Sequence, residues 1–319
     1  MAWLYFAVIG YFLLAFAAVM DRVLLAVSAV NPARYVYIIS MLGGIAAGVI
    51  FVAHRVAAAF PGLPGGEWLI FVYPDDIVKL SIAAFFAGCL YSAALFVYFY
   101  ALDRMETSRV VPVVGAAIPV FILMLSSVTI REELALRHIG AFVLLLAGSA
   151  SLNLNRGIAD VFRGKKILVL LGAAFLFASH YVVIKGVYIH VPFLQTMLFV
   201  QMGSFTGGML IYALFRGRFE SHVGKQIPVS GVKKALVILS QVIGGLGGSC
   251  VQLAVFFGSV VLVNALQGIQ YAFLFVILFV LRPFLNSLLG ETWTVRVVAQ
   301  KTVGIVLIAS GIVVIALTG

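Results

Sequence analysis

Asn264, Gln267 and Tyr271 recur at i, i+3 and i+7, so on a helix they share one face, with Gln270 close beside it. Amide side chains in an apolar setting either bond between helices or line a cavity that takes a polar, uncharged or zwitterionic solute. Gln201, Gln241 and Gln252 extend this chemistry. The earlier part of the chain offers Tyr91, Ser92, Tyr98 and Tyr100, then Ser126, Ser127 and Thr129; Tyr98 and Tyr100 suit an aromatic belt at a membrane surface. Arg22 and Lys185 are cations within long apolar stretches, where charge is costly and defaults to function. Each would meet an anionic substrate or a gating carboxylate, or else snorkel to the headgroups, Arg22 with Asp21 as a local partner. His180 precedes Lys185 by five residues. An imidazole there suits proton coupling or a hydrogen-bonded place in a core.

No pattern of catalysis accompanies these residues. Gly-x-Ser-x-Gly, His-Glu-x-x-His, cysteine pairs at metal spacing and a phosphate-binding glycine loop are all absent from the sequence. The expectation is a non-enzyme with no cofactor and no metal site. Any uphill work would draw on a coupling proton or another ion.

The elements that must position these side chains are membrane-spanning helices. Of the 319 residues, 64% are apolar and 10% charged, against roughly 25% charge in a soluble domain. A span needs about 20 mainly apolar residues. Ten stretches qualify, near 3–27, 35–53, 78–100, 110–130, 137–154, 167–187, 193–215, 235–257, 262–281 and 299–317. The fold class is therefore all-α integral membrane. The first stretch is too long for a cleaved signal peptide and has no basic start, so it counts as structure. Cys89 and Cys250 both fall inside stretches and suit small core positions.

The ten stretches divide into two sets of five. Pro32, Gly43 and Gly48 lie 160 positions before Pro192, Gly203 and Gly208, and Arg55 and Arg216 close the same element in each half. The expected domains are a five-helix repeat over 1–154, a basic connecting loop over 155–166 and a second five-helix repeat over 167–319. An odd number of spans per repeat inverts one repeat against the other, the architecture of a carrier that opens one site to each side in turn. The net charge of +10 does not point to nucleic acid, because the basic residues sit at span ends where they set orientation and meet lipid headgroups. Loops after odd-numbered spans hold 15 of the 21 Lys and Arg residues, which places those loops in the cytoplasm and both termini outside. Small residues favour close helix packing, among them Gly244, Gly245, Gly247 and Gly248 in the eighth stretch.

Residues 108–151 read Ser-Arg-Val-Val-Pro-Val-Val-Gly-Ala-Ala-Ile-Pro-Val-Phe-Ile, then Arg-Glu-Glu-Leu, then His-Ile-Gly-Ala-Phe and Leu-Ala-Gly-Ser. This resembles the EamA module of the drug/metabolite transporter superfamily, with its proline-interrupted fourth span, a glutamate at the end of that span and a glycine-bearing fifth span. Glu133 stands at the family's glutamate position. Residues 172–192 resemble the opening of a second module, with Lys185 at its in-span lysine and Pro192 opening the next span. The chain departs from the pattern at Asp21-Arg22, at Ala272 in place of the fourth-span proline, and at Arg282 and Pro283, which suggest that the ninth span ends early or kinks. Termini in the cytoplasm, as the superfamily is often drawn, oppose the charge count.

The function expected is secondary transport of a small polar metabolite, such as an amino acid, a nucleobase-like compound or an organic cation, by alternating access. The alternative is a flippase or carrier for a lipid or isoprenoid phosphate. The candidate substrate residues are Arg22, Tyr91, His180, Lys185, Gln201, Gln252, Asn264, Gln267, Gln270 and Tyr271. Glu133 with Arg137, and Glu291 with Arg296, are candidate helix-end gating pairs. The partners are the substrate and membrane lipids, in a cell membrane of prokaryotic type. A monomer suffices, and a dimer is compatible.

Overall fold

The computed structural model describes residues 2–25, 32–60, 69–105, 107–132, 135–153, 166–219, 231–289 and 295–318. These form α1 (Ala2–Leu25), α2 (Pro32–Ala59), α3 (Ile77–Arg104), α4 (Thr107–Thr129), α5 (Leu136–Asn153), α6 (Lys166–Tyr188), α7 (Phe193–Phe219), α8 (Gly231–Phe257), α9 (Val260–Ala265), α10 (Gln267–Leu289) and α11 (Val295–Thr318). Eight spans among the described residues are long and apolar enough to cross a membrane, and shorter apolar stretches, Val113–Thr129 and Leu136–Leu152, lie in α4 and α5. A bilayer core leaves backbone groups no water to bond, so helices of this length are what an apolar chain can build there. The protein is an integral, multi-pass membrane protein. Its outer faces are apolar: Ile45, Val49 and Val52 on α2 are exposed at helical spacing, as a lipid-facing stripe requires.

The helices pack mainly across the two halves of the chain. α1 lies along α8, α2 and α3 lie along α7, α3 and α4 lie along α6, and α5 lies along α11. Lipid tails are as apolar as leucine, so these contacts depend on close approach rather than on burial. Glycines provide it. A methyl group at Gly88 would run into the Val200 carbonyl, and one at Gly203 into the Phe85 carbonyl, so α3 and α7 touch backbone to backbone. Cys89 fits this seam as a small residue, its thiol 3.3 Å from the Gly203 carbonyl. Ser92 donates to the Ser204 carbonyl at 2.8 Å in the same seam. Gly10 and Gly247 perform the same service between α1 and α8.

The ninth stretch breaks in a different place from the one expected. Pro283 lies within α10, which continues to Leu289, while the interruption falls at Leu266, between α9 and α10. Beside it the Asn264 amide donates to the Val260 carbonyl at 2.9 Å, a local bond of the kind that competes with regular helix. α9 starts with its own cap: the Ser259 hydroxyl accepts from the Leu262 amide at 3.1 Å. α8, α9 and α10 thus form a twice-interrupted run.

Candidate functional site

A chain of aromatic side chains runs through the middle of the bundle. Tyr91 and Tyr98 are two turns apart on one face of α3. Facing them on α6 stand Phe177, His180 and Tyr181. The Tyr91 ring is 6.0 Å from Phe177 and 5.1 Å from His180, and the Tyr98 ring is 6.2 Å from Phe177. These spacings suit edge and tilted ring pairs. α1 contributes Tyr11 and α10 contributes Tyr271; Tyr11 lies within electrostatic reach of Tyr181 and Tyr271, and Tyr271 within reach of Tyr98. Tyr91, Tyr98, Tyr181 and Tyr271 are deep among other side chains yet keep part of their surface accessible, and the region they border between α1, α3, α6 and α10 is termed the crevice. Local sequence makes the room: at Gly115 of α4, any side chain would run into the Tyr271 hydroxyl. The Tyr11 hydroxyl donates to the Val263 carbonyl at 2.9 Å and so joins α1 to the short α9.

His180 is 1% exposed. Its Nδ1 lies 2.9 Å from the Ala87 carbonyl oxygen. A carbonyl only accepts, so Nδ1 carries the proton, and Nε2 of the neutral ring is an acceptor. Nε2 is buried and has no hydrogen-bond partner. An unmade bond of this kind costs about 1–3 kcal/mol.

Lys185 lies at one end of the crevice. Its ammonium donates to the carbonyls of Val255 at 2.9 Å, Phe256 at 3.5 Å and Gly258 at 2.6 Å. The last carbonyls of a helix lack partners within it, and a cation there also meets the negative end of the helix dipole. Lys185 therefore caps α8 at its break from α9, and its donors are taken up. Glu132 lies within electrostatic reach of Lys185, and its Oε2 is buried without a hydrogen-bond partner. The end of α4 explains why Glu132 points inward. Arg131 has φ 50°, and the Glu132 amide donates back to the Ser126 carbonyl at 3.3 Å, a left-handed helix closure that reverses the chain. Around this end, Phe256 packs on Tyr188 at 5.3 Å and Phe193 at 5.9 Å, and Phe257 stacks on Phe6 at 5.9 Å. Gly258 is required where it stands, since a methyl group would meet the Trp3 ring at 2.7 Å.

Of the residues singled out in the sequence, Tyr91, His180 and Tyr271 come together in the crevice, with Gln267 and Gln270 preceding Tyr271 on α10. Gln252 accepts from Tyr188 at 3.2 Å near the Lys185 end. Asn264 bonds within α9. Gln201 lies apart, with its side chain against Gly43 of α2. Gln241 also reaches α2, donating to the Tyr35 hydroxyl at 2.7 Å. The side chains of Arg22, Glu133, Glu291 and Arg296 lie outside the described residues, and with them both gating pairs; Arg137 is exposed. Tyr98 belongs to the crevice rather than to a surface belt, whereas Tyr100 does stand at the helix end, with Arg104 4.2 Å above its ring. Tyr11, Tyr181, Tyr188 and Glu132 complete the arrangement. The seven-residue spacing of Tyr181 and Tyr188, matching that of Tyr91 and Tyr98, is the sequence signal that marks two of them.

One strap crosses outside. Gln195 of α7 exchanges two bonds of 2.9 Å with the backbone of Val72, and His54 of α2 holds the Leu69 carbonyl at 2.7 Å while stacking on Phe71 at 3.7 Å. An apolar groove of about 370 Å³, lined by Ala2, Phe6, Phe193, Leu194, Leu253 and Phe257, lies between the ends of α1, α7 and α8.

Comparison with known proteins agrees with this architecture. The model of the EamA-like transporter family matches residues 1–154. No curated protein matches the sequence. Sixteen solved chains match the fold, and one crystal structure of a protein superposes with a TM-score of 0.67 over 99% of this chain and 97% of its own, at 17% identity. At that identity the likeness is one of fold.

Proposed function

We propose that the chain, whose residues 1–154 match the model of the EamA-like transporter family, is a secondary carrier of a small polar metabolite: an amino acid, a nucleobase-like compound or an organic cation. It consists of two inverted five-helix repeats, 1–154 and 167–319, joined by the loop 155–166. Substrate binds in the tyrosine-lined crevice, and the repeats rock about it so that opposite faces open in turn.

The observation that carries this is an inequality between two seams that repeat exchange makes equivalent. The offset of 160 maps Phe85 and Gly88 of α3 onto Gly245 and Gly248 of α8, and Gly203 and Gly208 of α7 onto Gly43 and Gly48 of α2. The α3–α7 seam is shut, backbone on backbone, at Gly88 and Gly203. The α8–α2 seam has the same small residues but is not closed. Gly245, Gly248 and Gly48 have open space beside them, and Gly43 faces Gln201 of α7 instead. Long side chains span what remains, through Gln241 and Tyr35. A carrier at rest with one gate shut has this form, and its second state shuts the α8–α2 seam while the α3–α7 seam parts.

The flippase reading draws on the apolar groove between α1, α7 and α8, which suits an acyl chain. It also needs a cation free for phosphate, and the Lys185 donors are committed to carbonyls. The polar-metabolite carrier is therefore the stronger reading. Uptake into proteoliposomes of radiolabelled amino acids, nucleobases and organic cations, with and without a proton or sodium gradient, tests it. Saturable uptake of one class is expected; uptake of none under any gradient contradicts the carrier.

A further inference from the structure

The crevice has a restricted chemistry. Among the described residues, the side chains packed around His180 are the rings of Tyr91 and Tyr181, and the charged groups, Lys185 and Glu132, stand together at one end. An α-amino acid would bring a carboxylate with no uncommitted cation to meet it, since the Lys185 donors are engaged. A phosphate fares worse, because the donors of Lys185 are already engaged. Flat faces are abundant, with Tyr91 and Tyr181 both 5.1 Å from the His180 ring. The hydroxyls of Tyr98 and Tyr271 can each donate and accept. Two buried atoms lack a hydrogen-bond partner: Glu132 Oε2, which stands by the Lys185 cation, and, among the rings, Nε2 of His180, an acceptor fixed in that role by the Nδ1 bond to Ala87. Buried polar groups are almost always satisfied, and an exception calls for an explanation such as a missing ligand.

We infer that the solute is an uncharged heteroaromatic ring that bears a ring N–H, of the nucleobase class, and that His180 Nε2 accepts from that N–H while Tyr91 and Tyr181 pack on the ring. The inference rests on the carrier reading and specifies its substrate. It makes His180 a specificity-determining residue rather than a proton carrier. The rings of Tyr91 and Tyr181 are packed against the His180 ring, so the donor reaches the buried Nε2 as these rings reseat around the solute.

The test uses the full chain in detergent, with adenine, uracil and hypoxanthine as probes, their singly N-methylated isomers, and phenylalanine and tetraethylammonium as controls. Binding of a base raises the unfolding midpoint by mass action. For a base that binds, one N-methyl isomer is expected to bind about tenfold more weakly or worse, because it lacks the N–H and leaves the acceptor unmatched. In His180→Phe that isomer and the parent base bind alike. His180→Gln, which keeps an acceptor, retains a preference for the parent. The ligand-side comparison needs no variant, so misfolding of either variant leaves the test intact. Equal binding of every methyl isomer by the native protein overturns the inference, as does binding of phenylalanine or tetraethylammonium in place of the bases. In those cases, saturable uptake of the bound solute into proteoliposomes would leave the carrier reading standing. Uptake of no member of the panel would remove both.

Discussion

The ammonium of Lys185 lies 2.6 Å from the carbonyl oxygen of Gly258. This contact ties the end of α6 to the break between α8 and α9, and it converts an in-span cation into a helix cap. The same ammonium reaches two further carbonyls. Phe256, whose carbonyl is one of these, packs its ring with Tyr188 and Phe193. Lys185 acts first on the structure of this end of the pathway and only through it on transport.

Lys185→Met is therefore expected to lower stability. Hydrogen bonds from a charged donor contribute about 1.5–3 kcal/mol each where both partners are buried, and partial exposure here puts the total near the low end of that range. Thermal unfolding in detergent is the measurement. An unchanged midpoint combined with lost substrate binding would make Lys185 a substrate ligand instead.

The two seams should respond differently to added bulk. Gly203→Val forces a methyl group into the Phe85 carbonyl, so it should cost about 1–3 kcal/mol or prevent folding. Gly248→Val meets open space. It should leave the midpoint within about 0.5 kcal/mol of the native protein or raise it slightly, since valine has a higher helix propensity than glycine, yet slow uptake at least tenfold by obstructing closure against α2. Equal effects of the two substitutions on stability would contradict the seam assignment.

Gly115→Ala displaces the Tyr271 hydroxyl. Binding of the transported solute should weaken by about tenfold with the fold retained, as read by ligand titration and circular dichroism. Unchanged affinity would remove Tyr271 from the site.

Tyr11→Phe loses the bond to the Val263 carbonyl and leaves that carbonyl buried without it. A cost of about 1–3 kcal/mol is expected. The local consequence should be faster amide exchange over α9, measured by mass spectrometry. Uniform exchange across the bundle would place the role of Tyr11 elsewhere.

The membrane-spanning helices were legible in the sequence because hydropathy depends on local composition alone. So were Tyr91, His180 and Tyr271, which stand out as polar groups in apolar runs. What escaped depends on distant or one-residue geometry. Tyr11 is a lone tyrosine in its span, and its partner carbonyl lies 252 residues away. Tyr98 falls near the end of an apolar stretch, so hydropathy places it at a surface, but α3 continues to Arg104 and Tyr98 stays inside. Glu132 and Glu133 are equivalent to a motif; the left-handed turn at Arg131 is what brings Glu132 toward Lys185. The break at Leu266 carries neither proline nor glycine, and the proline that does occur, Pro283, lies within α10.

The most direct test of the central claim measures the two seams at once. Spin labels would be placed on exposed positions of α2 and α8, at Ile38→Cys and Leu239→Cys, and in a second protein on α3 and α7, at Ile82→Cys and Met202→Cys, with Cys89 and Cys250 replaced by serine. Pulsed distance measurements in proteoliposomes would be compared before and after addition of a transported solute. Alternating access predicts opposite changes: a shorter α2–α8 population appears as a longer α3–α7 population appears. Distances that stay fixed, or that lengthen and shorten together, would contradict it.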